Sequence, residues 1–224
     1  MAEAAETDQG PLTTIVNDWS SDVTTFKAVP WGKAMMWIFL LSDTFIFTSF
    51  LVSYMAVRMT QTDAWPEPSE VFSLEAFGVP VPLLLIAIMT FILITSSGTM
   101  AMAVNMGYRK RKVAVFWLMF ATALLGASFV GMQAFEWTKL IGDEGVRAWQ
   151  NPMGAAQFGS FFFMITGFHG LHVSAGVVYL LIVAFRVLRG KYDNTSFEIV
   201  EITGLYWHFV DLVWVFIFAF FYLW

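Results

Sequence analysis

The chain has 224 residues, of which 58% are hydrophobic, 18% aromatic and only 13% charged. A soluble domain carries about a quarter charged residues, so these proportions, with a mean hydropathy of +0.67, exclude an ordinary water-soluble globule and point to an integral membrane protein. The formal net charge of −5 speaks against a nucleic-acid partner, and the lack of cysteine excludes disulfides, thiolate chemistry and sulfur-ligated metals.

Residues 1–30 are acidic and polar, carry no signal-peptide pattern and read as a solvent-exposed tail. Five long apolar runs follow, at about 31–57, 79–104, 113–137, 158–185 and 202–224. Each is long enough to cross a hydrocarbon core of ~30 Å at ~1.5 Å per residue. Backbone groups in lipid must be satisfied internally, so the runs predict helices. The expected fold is an all-α integral membrane protein, a five-helix transmembrane bundle. Pro80 and Pro82 are expected in the first turn of the second helix, where a missing N–H costs little. Lys27 and Lys33, the run Arg109–Lys112, and Arg186, Arg189 and Lys191 fall on one side of such a bundle, nine of the twelve basic residues. The other side has Arg58, Lys139 and Arg147 and an acidic first loop with Asp63, Glu67, Glu70 and Glu75. The positive-inside rule then predicts a cytoplasmic N-terminus and an outer C-terminus. No pair of similar halves or interrupted span suggests a transporter built from repeats.

Ionisable groups inside a span are costly and usually have a job. The fourth run carries His169 and His172, and the fifth His208 and Asp211, each pair spaced i, i+3 and so on one helix face. Asp43 lies near the middle of the first run, Gln133 and Glu136 near the outer end of the third, and Thr95, Ser96, Ser97 and Thr99 in the second. Counting rise from the inner boundary brings Asp43, Asp211 and His172 to similar depth, roughly 15–20 Å, and assigns Glu136 to a separate outer cluster with His169. Two readings stand for these groups. One is interhelical glue, each hydrogen bond worth about 1 kcal/mol or less. The other is a proton-related or lipid-headgroup site. A haem would need histidines from two helices at matched depth, which His208 and His169 or His172 do not offer, and no metal site is expected. Arg109, Lys110, Arg111 and Lys112 read as a positive-inside anchor and as candidate ligands for anionic lipid headgroups. Gly126, Ser128 and Gly131, and Gly167, Gly170, Ser174 and Gly176, are expected at close helix contacts. Trp214, Tyr222 and Trp224 are read as packing and an interfacial belt.

The segments LSDTFIFTSFLVSY (41–54), GMQAFEW (131–137), FFFMITGFHGLHVSAG (161–176) and YWHFVDLVWVFIFAFFYLW (206–224) stand in this order along the chain. Together they closely resemble subunit III of haem–copper terminal oxidases, in the five-helix form that lacks two N-terminal helices. The resemblance spans all five runs and leaves the tail and outer loops unmatched. It implies a chain without haem or copper of its own, those cofactors residing in partner subunits. It also implies docking on the catalytic subunit I, with subunits II and IV in the same assembly, and bound phospholipid. The complex would reduce dioxygen to water and pump protons in a bacterial inner membrane, with this chain supporting proton uptake and turnover stability. Asp43 matches the family's buried carboxylate, which is Glu in many cytochrome c oxidases, so the Asp is more like the quinol-oxidase branch. Glu136, His169, His172, His208 and Asp211 match further motif positions. The rival readings are an accessory subunit of a nitric oxide reductase, a small membrane transporter using the level of Asp43, His172 and Asp211, and a b-type haem anchor.

Overall fold

The computed structural model describes residues 29–61, 65–67, 71–76, 79–192 and 197–223. Five helices dominate it: α1 (Trp31–Thr60), α2 (Leu84–Tyr108), α3 (Lys112–Gly142), α4 (Gln157–Leu188) and α5 (Glu198–Tyr222). Each is long and apolar enough to cross a membrane. Hydroxyl side chains inside them are mostly folded back onto the preceding turn, as Thr44 onto Leu40 O and Ser49 onto Phe45 O. That satisfies the hydroxyl where no water is available.

The boundaries shift at several ends, α3 running on to Gly142 and α5 beginning at Glu198, and one element is new. Two short strands, β1 (Ser73–Ala76) and β2 (Val79–Pro82), pair antiparallel between α1 and α2, with Glu75 opposite Pro80 and Ser73 opposite Pro82. The second helix therefore begins at Leu84, and Pro80 and Pro82 lie in a strand, not in a first helical turn. Both strands of a two-stranded ribbon are edges, and proline is tolerated there because alternate N–H groups have no ladder partner. Leu83, in the left-handed region at φ 60°, turns the ribbon into α2. Of the N-terminal tail only Val29 and Pro30 fall within the described residues; Asp63, Glu70 and Trp224 lie outside them.

The helices alternate in direction, so one end of the bundle, here the basic face, gathers the start of α1, the α2–α3 link and the end of α4. The other, the hairpin face, gathers the ribbon and the α3–α4 loop. At the basic face α4 ends in a Schellman turn. Gly190 takes φ 73°, its N–H reaches Val187 O, and Lys191 N–H reaches back to Arg186 O. Lys110 adopts the same backbone at the end of α2, with φ 55°. This places Arg109, Lys110 and Arg111 exposed in a tight turn, with Lys112 half-buried at the start of α3.

Helix α3 packs along both α2 and α4, and α5 lies across α2, α4 and α1. Helix α1 rests chiefly on α5 and α4 and turns a bare apolar face outward, with Ile38, Leu41, Phe45 and Val52 exposed. The tightest packing surrounds Trp207, which is fully buried between Gly126 of α3 and Gly176 of α4. Its Nε1–H donates to Ser96 Oγ of α2 at 3.0 Å. The glycine slots let the indole enter, so Gly126 and Gly176 are close contacts as expected, and Gly167 lies against the Trp137 ring. Gly131 and Gly170 do not serve this purpose: a Cβ on either would meet nothing within 4 Å. Ser128 and Ser174 are likewise exposed.

Candidate functional site

Among the described residues four polar clusters stand out in the bundle, with His169 apart from them. At mid-span, Asp43 of α1 is buried against α4, with Oδ2 3.5 Å from His172 Nε2. His172 Nδ1 is 2.8 Å from Phe168 O. A carbonyl oxygen only accepts, so Nδ1 carries the proton. Nε2 and the carboxyl then attract only when the pair holds one further proton. Phe47 and Phe168 shield the imidazole, with ring centroids 5.6 and 4.6 Å away. Tyr206 of α5 donates to His172 O at 2.9 Å.

Asp211 does not join this pair, although its depth along the bundle suits it. On α5 it faces α2 instead, beside Ser97. Depth fixes height but not the direction around the helix axis, and the i, i+3 pair His208–Asp211 is turned toward α2. Ser97 Oγ and His208 Nδ1 are 2.5 Å apart. On another face of α2, Thr99 Oγ1 is 2.7 Å from Thr122 Oγ1 of α3.

Glu136 and His169 are also separate, contrary to the outer cluster expected from sequence. Near the hairpin face Glu136 accepts Gln133 Nε2–H at 2.8 Å and the Tyr222 hydroxyl at 3.2 and 3.3 Å. Tyr222 is thereby a hydrogen-bonded interior group, not part of a belt, and it is 1% exposed. His169 lies deeper in an aromatic box. It stacks on Trp214 at 5.4 Å and meets Phe129 edge-on at 5.8 Å, and neither ring nitrogen has a hydrogen-bond partner. Neighbouring aromatic rings, not a second polar group, decide where this imidazole sits. Trp214 itself is buried and donates to Thr90 Oγ1 at 3.0 Å, so it is packing and not interfacial.

The fourth cluster escaped sequence reading. At the basic face Lys33 Nζ of α1 lies 2.5 Å from Glu201 Oε1 of α5, with Tyr108 of α2 also against Glu201. Lys33 looked like a simple positive-inside charge. The available signal was a pair of acids, Glu198 and Glu201, in the first turn of an apolar helix.

Between these anchors α1 and α5 stand apart, leaving an open cleft of about 690 Å³. Leu40, Leu41, Thr44 and Phe47 form its α1 wall, and His208, Phe209, Leu212 and Phe216 the α5 wall. The α1 residues flank Asp43, so the buried acid and the cleft share one helical turn. His208 joins the cleft to the Ser97 cluster. The lining is almost wholly apolar and fits hydrocarbon chains, not a hydrated substrate.

The sequence profile described as cytochrome c oxidase subunit III matches residues 21–224. A protein named cytochrome c oxidase subunit 3 from Rhipicephalus sanguineus is 32% identical over 86% of this chain and 70% of its own length. A probable quinol oxidase subunit 3 from Staphylococcus aureus (strain USA300) is 35% identical over 84% of this chain and 86% of its own. The profile takes in all five helices and with them all four polar clusters. This five-helix membrane chain belongs to the cytochrome c oxidase subunit III family and so to a multi-subunit oxidase complex.

Proposed function

We propose that the chain is the non-redox subunit III of a bacterial respiratory oxygen reductase. In this reading it sits in the inner membrane with the basic face toward the cytoplasm. It docks on catalytic subunit I, with subunits II and IV in the same assembly, and leaves haem and copper to those partners. Its work is to steady the catalytic subunit through turnover and to support proton uptake.

The observation that carries this reading is the Asp43–His172 pair, two groups 3.5 Å apart that attract only when they share an added proton. Such a pair stores and releases one proton without a redox centre. The adjoining cleft supports a second part of the same role, the holding of phospholipid chains, with Arg109, Lys110, Arg111 and Lys112 at the depth of anionic headgroups. The test is an Asp43→Asn complex reconstituted in liposomes. Proton pumping per electron and the number of turnovers before inactivation are both measured, and a fall in either is expected. Unchanged pumping together with an unchanged turnover lifetime removes the proton-related role.

A further inference from the structure

Acyl chains account for the apolar lining of the cleft between α1 and α5 but leave two polar groups in it bare. One is the hydroxyl of Thr48 on the α1 wall. Its neighbours Thr44 and Ser49 fold back onto the preceding turn, whereas Thr48 makes no hydrogen bond among the described residues. The other is Nε2 of His208 on the α5 wall. Nδ1 of this ring is held by Ser97 Oγ at 2.5 Å, while Nε2 has no partner among the described residues and stays open to the cleft. Phe39 meets Tyr206 and Tyr54 meets Phe221, so Thr48 stands level with Val215, seven residues beyond His208. At ~1.5 Å per residue the two polar groups are about 10 Å apart along the cleft. Both lie near the middle of their helices, about 15 Å from either headgroup layer.

We propose that this level of the cleft binds the ring of an isoprenoid quinone, with His208 Nε2 on one ring oxygen and Thr48 Oγ1 on the opposite one. The two oxygens of a para-quinone ring stand about 5 Å apart, and a hydrogen bond of ~2.8 Å at each end extends the reach to about 11 Å. A phospholipid keeps its polar atoms in the headgroup layer and brings only hydrocarbon to this depth. A quinone carries its polar ring on a hydrocarbon tail and so brings both. Phe47, Phe209 and Phe216 line the same cleft and suit a flat ring. The tail shares the rest of the cleft, from Trp37 to Met55 on α1, with acyl chains. The two polar groups also suit both redox forms of the ring. Ser97 has one hydroxyl proton and two acceptors within its surroundings, His208 Nδ1 and the Asp211 carboxyl. When Ser97 donates to Nδ1, the neutral imidazole keeps its proton on Nε2 and donates to a quinone carbonyl. When Nδ1–H donates to Ser97, whose own proton turns to Asp211, Nε2 accepts from a hydroquinone hydroxyl. The Thr48 hydroxyl serves in either direction.

The test labels the oxidase complex in its native membranes with two photoreactive probes, an azidobenzoquinone and an azidonaphthoquinone, each on a decyl chain. Peptides of α1 and α5 should carry the label. An excess of the matching quinone without the azide should abolish it, and an equal excess of phosphatidylglycerol should not. His208→Phe and Thr48→Val should each weaken binding of the probe about fivefold, the loss of one hydrogen bond. Thr48 is exposed, so its variant decides if His208→Phe fails to assemble. The label is read on this chain whether or not a catalytic subunit co-purifies, and it does not depend on the proton role of Asp43. Failure here is therefore separate from failure of the subunit reading. Label displaced equally by phosphatidylglycerol, the outcome for a cleft that holds lipid alone, overturns the proposal. So does label missing from α1 and α5, or equal in the wild type and the variants.

Discussion

Replacing Gly126 by alanine tests the packing of the bundle at its tightest point. The new methyl carbon would lie 2.3 Å from Trp207 Cη2, 2.8 Å from Cζ2 and 2.9 Å from Val177 Cγ2. Carbon atoms prefer ~3.5–4.0 Å, so the indole must move by more than about 1 Å. It has no room to do so. Its far edge lies against Gly176, where a Cβ would sit 3.0 Å from Cζ3, and its Nε1–H is held by Ser96 at 3.0 Å. Overpacking costs about 1–3 kcal/mol, and loss of the interhelical hydrogen bond adds about 0.6 kcal/mol. Gly131→Ala is the control, because its Cβ meets nothing within 4 Å while the helix-propensity change is the same. The difference between the two variants should be about 2–4 kcal/mol in a reversible SDS unfolding titration followed by far-UV circular dichroism. Gly126→Ala/Trp207→Phe should recover at least about 1 kcal/mol of coupling energy. If Gly126→Ala and Gly131→Ala agree within about 0.5 kcal/mol, the close fit of Trp207 is not what holds α3, α4 and α5 together.

Tyr222→Phe removes one of the two hydrogen bonds to Glu136 and should destabilise the chain by about 1–3 kcal/mol, measured in the same titration. Lys33→Gln should cost no more than about 1 kcal/mol, since both partners are about a quarter exposed, and its effect should shrink in high salt. At Gly159 a Cβ would stand 2.2 Å from the backbone oxygen of Arg147. Gly159→Ala should therefore displace the α3–α4 loop and speed its cleavage in limited proteolysis, with the helices intact. The gently solubilised, tagged chain should co-purify with a haem-containing catalytic subunit and give its reduced-minus-oxidised spectrum. A colourless solitary chain in several mild detergents would count against the subunit role.

The number and order of helices were legible because apolar runs of this length have one solution in lipid. The start of α2 was not, because Val79–Pro82 is as apolar as a helix and differs only in having prolines that suit an edge strand. The polar groups show a similar division. Asp43 and His172 were brought together correctly by counting rise per residue. Asp211 and the supposed Glu136–His169 pair were not, because the count gives height alone. Rotation around the axis is set by bulky neighbours, such as Trp214 against His169 and Tyr222 against Glu136. Those contacts join residues up to 86 positions apart and leave no local trace. The glycines divide for the same reason: Gly126 faces an indole and Gly131 faces outward.

The Lys33–Glu201 contact joins residues 168 positions apart, the first helix to the last. During synthesis α1 is made before α5, so this contact forms only once α5 is in place. The other partner of α1, α4, supplies the Asp43–His172 pair and the ring contacts of Phe47, Phe50 and Tyr54. The cleft between α1 and α5 therefore comes into being only when α5 is delivered. Whatever fills that cleft can be taken up only after α5 has arrived. A nascent chain stalled before residue 198 would hold four helices and no cleft.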